Sequence, residues 1–119
     1  MVQKETNLKP IDKCGVWSVR VFHLYNGSLR KNSTISNFVK VSVKKTRSNN
    51  WVPKKSKLKS IIVTLKKEIR KIDGSYIKFR SNNTVLLKKR LTPKGKILIG
   101  PVSINIRRKR FLTSFCGFI

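Results

Sequence analysis

The chain has 119 residues and 29 Lys and Arg against 4 Asp and Glu, a formal net charge of +25. That length holds one domain around one core, not two. A chain so one-sided in charge repels itself, with only partial screening over a Debye length of roughly 10 Å at 0.1 M salt. It calls for a polyanion, nucleic acid first and an anionic membrane or heparin-like glycan second.

No apolar run approaches the roughly 20 residues of a membrane span. Met1 to Thr6 carries neither an apolar signal core nor an Arg/Ser-rich leader, so the chain is expected to work where it is made or to have lost its leader. Alanine is absent while Lys, Asn, Ile, Phe and Ser abound, which points to an A/T-biased genome.

In chain order, Lys4 to Pro10 reads as a short first strand and Asp12-Lys13-Cys14-Gly15 as a turn. Trp17 to Tyr25 alternates as a strand, with Trp17, Val19, Val21 and His23 on one face and Ser18, Arg20, Phe22 and Leu24 on the other. Asn26-Gly27 is a tight-turn dipeptide and Leu29 to Asn32 a basic loop. Phe38 to Lys44 is a strand that turns Val39, Val41 and Val43 inward. Lys45 to Ser56 is a polar, basic loop in which Trp51 is expected to act as an anchor rather than a base-stacking platform. Lys57 to Leu65 is the next strand.

The stretch from Ser60 to Leu86 organises the rest. Apolar Ile61-Ile62-Val63 leads into basic Lys66-Lys67-Glu68-Ile69-Arg70-Lys71, the turn Asp73-Gly74-Ser75, the alternating Tyr76 to Phe79, then Asn82 and Val85-Leu86. This predicts a long hairpin with its base in the core and cations on its arm. Thr84 to Leu87 is a short strand closed by Lys88-Lys89-Arg90, and Pro93-Lys94-Gly95 a turn. Ile97 to Val102 reads as a buried strand or core-crossing segment. Ser103 caps a short helix over Ile104 to Arg110, and the tail from Phe111 to Ile119 packs back on the body. Five or six short strands with little helix argue for an all-β fold, a small closed barrel. One domain is expected over 1–119, with a C-terminal helical segment from about residue 101.

Catalysis is poorly supplied. The carboxylates are Glu5, Asp12, Glu68 and Asp73, whereas metal-dependent nuclease chemistry gathers several acids at one site. Asp12 and Asp73 sit in turn contexts where a carboxylate caps its own backbone, and His23 reads as a half-buried structural residue. Cys14 and Cys116 stand far apart, and a zinc site needs about four ligands. Free thiols in a reducing compartment are the expectation, a Cys14–Cys116 disulfide in a secreted cationic protein the alternative. No enzyme activity, metal or cofactor is expected.

Binding is better supplied. Cations cluster at Arg30-Lys31, Lys44-Lys45 with Arg47, Lys54-Lys55, Lys66-Lys67, Arg70-Lys71, Lys78 with Arg80, Lys88-Lys89-Arg90 and Arg107-Arg108-Lys109-Arg110. Each falls on a predicted loop, hairpin or helix rather than mid-strand. Almost no acids alternate with them, unlike an ordinary soluble surface. Clusters on several loops imply several nucleic-acid segments, held by phosphate contacts that position without reading sequence. Tyr76, Phe79 and Phe38 fall at core-like phases and read as packing, not as the stacking platforms of single-strand binders.

The ordered motifs Ser60-Ile61-Ile62-Val63, Asp73-Gly74, Phe79, Asn82 and Val85-Leu86 resemble the signature of the universal large-subunit ribosomal protein number fourteen family, the bacterial L-fourteen type. Met1-Val2-Gln3 with Thr6, Asp12 with Gly15, Asn26-Gly27-Ser28, Lys66-Lys67, Pro93-Lys94-Gly95 and Ile99-Gly100-Pro101-Val102 fall in register with it, so the resemblance covers Met1 to about Phe111. It implies a closed five-stranded β-barrel with a projecting hairpin and short C-terminal helices. It also implies a structural place on large-subunit rRNA near the subunit interface, contact with the L-nineteen-type neighbour, and a bridge to small-subunit rRNA. No membrane and no second copy of the chain is expected as a partner.

Departures from the family pattern lose acids and gain cations: Ser36-Asn37 stands for its Gly-Asp, Arg80 for its acid, and Lys88-Lys89 for its neutral Asn-Asn. Ser60 opens the signature in place of Gly or Ala. Lys96-Ile97 replaces the family's Thr-Arg where a ribosome-silencing factor docks in bacterial relatives, which argues against such docking here. The base bias and the divergence point to a protein encoded in a mitochondrion and working in its matrix, with a plastid or bacterial cytoplasm as alternatives. The competing functional class is a free, sequence-tolerant single-strand nucleic-acid-binding barrel.

Overall fold

A computed structural model describes residues 1–25, 27–48, 51–95, 97–103, 106, 117 and 118, with the side chain of residue 118 left aside. The β-branched residues set the architecture. In β3, Phe38–Thr46, Val39, Val41 and Val43 are all fully buried while Lys40 and Ser42 between them keep contact with water. A branched Cβ suits the pleated surface, and a period of two puts the three valines on one face. The neighbour β4, Lys57–Thr64, is exposed to half-buried at its start and is then buried continuously from Ser60 to Thr64, because loop backbone covers its outer side. There Ser36 N–H donates to Ile62 C=O at 2.9 Å and Ile62 N–H to Asn37 C=O at 3.1 Å.

β1 is Asn7–Pro10, β2 Val16–Leu24, β5 Ile69–Arg70, β6 Tyr76–Ile77, β7 Asn83–Leu87, β8 Pro101–Val102 and β9 Gly117–Phe118. Among the described residues, five strands close into a barrel in the order β1-β2-β3-β4-β7. Four contacts round the ring are antiparallel, and the closing one, β1 with β7, is parallel at Lys9↔Asn83 and Pro10↔Thr84. Closure leaves no edge strand in the barrel formed by the described residues. Pro10 can end β1 because the next residue resumes the ladder, Ile11 N–H donating to Thr84 C=O at 3.1 Å.

Several expectations are corrected. In β2 the buried residues are Val16, Val19, Val21 and Leu24, so Trp17 and His23 do not share the valine face. Register shifts near Ser18 and between Val21 and His23 insert residues, and each insertion flips the side chains beyond it. His23 is therefore exposed, edge-on to Tyr25 with ring centroids 5.0 Å apart. β3 runs on to Thr46, which puts Lys45 on a strand end rather than in the loop.

The stretch from Ser60 to Leu86 is not one continuous ladder. β4 and β7 pair, but past Ile62 their register shifts. Side chains then join the backbone in holding the arms: Lys66 N–H donates to Asn82 Oδ1 at 2.8 Å and Thr64 Oγ1 to Ser81 C=O at 2.9 Å, beside Phe79 N–H donating to Leu65 C=O at 3.1 Å. A separate two-stranded unit follows, with Ile69 opposite Ile77 and Arg70 opposite Tyr76. Its turn is held as expected by Asp73, whose Oδ1 accepts from Ser75 N–H at 3.0 Å and Ser75 Oγ at 2.6 Å. These bonds lower the Asp73 pKa. Ile77 is buried and Phe79 and Phe38 pack partly against the core, but Tyr76 is 65% exposed and is not a core residue.

Downstream, Leu98 and Val102 are buried while Ile97 and Ile99 face outward, so this segment alternates rather than crossing the core. β8 pairs in parallel with β9 at Pro101↔Gly117, which returns the tail to the body. Of the helix expected over Ile104 to Arg110 the described residue is Ile106, which is buried and donates its N–H to Ser103 C=O at 3.1 Å; the rest of that span and most of the tail, like Asn26 of the Asn-Gly turn, lie outside the described residues.

Candidate nucleic-acid interface

One anchor organises a basic concavity of the molecule. Asp12 is buried, and its Oδ2 accepts from Gly95 N–H at 3.2 Å across 83 residues of sequence. The carboxylate thus holds a distant turn, not its own, which corrects the local-cap expectation. Backbone bonds complete the seam: Lys13 N–H donates to Ile97 C=O at 3.3 Å, Ile99 N–H to Ile11 C=O at 3.2 Å and Lys94 N–H to Leu86 C=O at 2.9 Å. On the other side Arg47 N–H donates to Gly15 C=O at 3.0 Å. These bonds bring Lys13, Arg47 and the pair Lys88 and Lys94, from three separate stretches of sequence, to the wall of one concavity of about 640 Å³.

Burial raises the Asp12 pKa, and Asp12 Oδ1 has no partner of good geometry, the adjacent Cys14 thiol being a weak donor. Burial first, then the charge of Asp12, pushes the Cys14 thiol up to about 11. Cys14 is therefore a protonated, unreactive thiol at neutral pH. Cys116 lies outside the described residues.

The fit at this seam is tight. A Cβ on Gly95 would stand 2.8 Å from both Asp12 Cβ and the Lys13 backbone nitrogen. Neither is the free end of a flexible chain, so Gly95→Ala is expected to cost about 1–3 kcal/mol as an overpacking change. A fall in the urea midpoint with unchanged slope would register it; an unchanged midpoint would mean that the turn moves aside at no cost.

Arg30 and Lys31 line a different concavity with Gln3 and Lys4. There Arg30 Nε is already engaged, donating to Asn32 C=O at 2.8 Å. Lys54 and Lys55 occupy the turn between β3 and β4, where Lys55 takes a positive φ of 64° and donates its N–H to Val43 C=O at 2.9 Å. Lys66, Lys67, Arg70, Lys78 and Arg80 are exposed on and around the β5–β6 unit, with Lys71 half-buried in its turn. The charge of Lys67, after burial, lowers the pKa of the Met1 amine. Lys88, Lys89 and Arg90 are exposed in the turn after β7. Arg107 to Arg110 lie outside the described residues. The cations thus surround the barrel in several places rather than forming one patch.

Sequence reasoning missed Lys13 and Lys94, which look like isolated lysines in turns. The Asp12–Gly95 contact and the backbone bonds of the same seam join them, and nothing local signals contacts at that separation. It also misjudged Trp51. That ring is 99% exposed, and the residue that pins the loop is its buried neighbour Val52. Among the described residues no three His, Cys, Asp or Glu side chains gather as a metal site would require.

The family model of ribosomal protein L14p/L23e matches residues 1–115. The chain belongs to this family. Its members are ribosomal proteins, not a class of enzymes. The chain is also 85% identical, over the full length of both proteins, to the large ribosomal subunit protein uL14m of Tetrahymena pyriformis.

Proposed function

We propose that the chain is a structural constituent of the mitochondrial large ribosomal subunit, where it binds large-subunit rRNA and contributes to the subunit interface. The observation that carries this reading is the full-length match to the Tetrahymena protein, and the net charge of +25 supports it. In this reading the described cations of the eight clusters, together with Arg107 to Arg110, neutralise rRNA phosphates. The β5–β6 unit serves as the tip of a projecting hairpin, and the C-terminal segment folds as short helices on RNA. The L-nineteen-type protein is the neighbour, and small-subunit rRNA is reached across an intersubunit bridge. The chain acts as one domain and as a single copy, and it is made inside the organelle.

The test is sedimentation of the native protein from lysed mitochondria. It should travel with the large subunit and with whole ribosomes. Recovery in the free fraction, or with the small subunit alone, would refute the placement. Tight binding of single strands without ribosome association would favour the free nucleic-acid binder instead.

A further inference from the structure

A second concavity, of about 610 Å³, shares Lys13, Gly15 and Arg47 with the first. Each has a tryptophan in its wall, Trp51 in one and Trp17 in the other. Trp51 is 99% and Trp17 59% exposed. Phosphate neutralisation alone does not call for either ring. An indole in water is a large apolar surface left uncovered, and both volumes fall within the roughly 300–1,000 Å³ of small-molecule sites.

We propose that this joined cleft seats unstacked nucleotides of single-stranded RNA, with one base on the face of Trp51, a neighbouring base on Trp17, and the phosphates between them on Arg47, Lys13 and Lys88. The inference rests on the RNA-bound reading and sharpens it, since it adds base contact to backbone contact. Aromatic platforms beside a cationic groove are what a single strand needs: every base has a π-face, and the backbone follows the charge. An A-form duplex fits poorly, because its bases are already stacked on each other. A protein partner would have to be strongly acidic here. Of the residues lining the cleft Asp12 is the one acid, and it is turned inward to Gly95.

Trp17 and Trp51 are the whole tryptophan complement of the chain, so indole emission reports on this cleft and nothing else. The full-length protein is titrated with a single-stranded RNA oligonucleotide, an RNA duplex and inorganic polyphosphate. Binding is followed by competition and fold by circular dichroism. Polyphosphate supplies anions without bases and so controls for any ordering by charge. Single-stranded RNA should quench the emission strongly, and polyphosphate and duplex should leave most of it. Trp51→Ala should weaken single-strand binding roughly five- to 150-fold, the range for one stacked base, and leave polyphosphate affinity unchanged. Trp17→Ala should retain the quenching that belongs to Trp51.

Equal quenching by polyphosphate and RNA would overturn the proposal, as would saturation by RNA with emission untouched. Equal loss of both ligands in Trp51→Ala would mark a fold defect, and the quenching pattern of the wild type then decides. If the native protein sediments with the large subunit but its tryptophans are not quenched by single strands, the cleft fails and the ribosomal reading stands. If it does not sediment there, that reading fails whatever the tryptophans do.

Discussion

Raising the salt from about 50 to about 200 mM is expected to weaken the proposed binding of this protein to large-subunit rRNA by about three to five orders of magnitude. The size of the effect follows from the arrangement of the cations. Lys44, Lys45, Arg47, Lys54, Lys55, Lys66, Lys67, Lys88 and Lys89 are all exposed. Asp12, beside Lys13, is buried and turned to Gly95, and Arg20 pairs with Glu5 at 3.6 Å on a different strand. If roughly eight phosphates are neutralised, log K falls by about seven units per tenfold rise in salt on duplex and less on single strands. Filter binding across a salt series measures the slope. Lys88→Ala is expected to lower it by about one unit without changing which RNA is preferred. A slope near zero would mean that these cations face water in the complex, and the account of the charge would be lost.

What could be read in advance depended on the range over which each feature is decided. Val39, Val41 and Val43 alternate within one strand, so their face is fixed by neighbours two residues away. The Asp73-Gly74-Ser75 turn closes within itself and was legible for the same reason. The faces of β2 were not, since the shifts at Ser18 and before His23 arise from pairing with β3. The interruption of the stretch from Ser60 to Leu86 likewise depends on Asn82 and Ser81 meeting Lys66 and Thr64 in space. The site followed the same division. Runs of lysine and arginine announce themselves, and the structure shows the described members of those runs largely exposed. Lys13 and Lys94 announce nothing until the Asp12–Gly95 contact puts them together. Trp51 was misread because an aromatic in a polar loop resembles an anchor, whereas the anchoring is done by Val52, a smaller residue beside it.

The division between core and partner-facing surface also separates two isoleucines of one stretch. Ile61 is fully buried at the centre of β4, opposite Phe38 on one side and Val85 on the other. Its carbonyl accepts the Thr84 Oγ1 hydroxyl at 2.8 Å. Ile72, in the turn between β5 and β6, is 106% exposed. Ile61→Ala removes the same atoms as Ile72→Ala but leaves a cavity in a closed barrel whose strands cannot slide independently. It is expected to cost about 2–5 kcal/mol, a large share of the roughly 5–15 kcal/mol that holds a domain folded. Ile72→Ala is expected to stay within about 0.5 kcal/mol. Urea unfolding of the full chain at high salt, where self-repulsion is screened, measures both, and the slope should not change in either variant. An Ile72→Ala midpoint as low as that of Ile61→Ala would show that the turn is packed in the free protein. The converse, an Ile72→Ala protein that unfolds normally yet enters large subunits less well, would identify Ile72 as a side chain whose burial waits for the assembled particle.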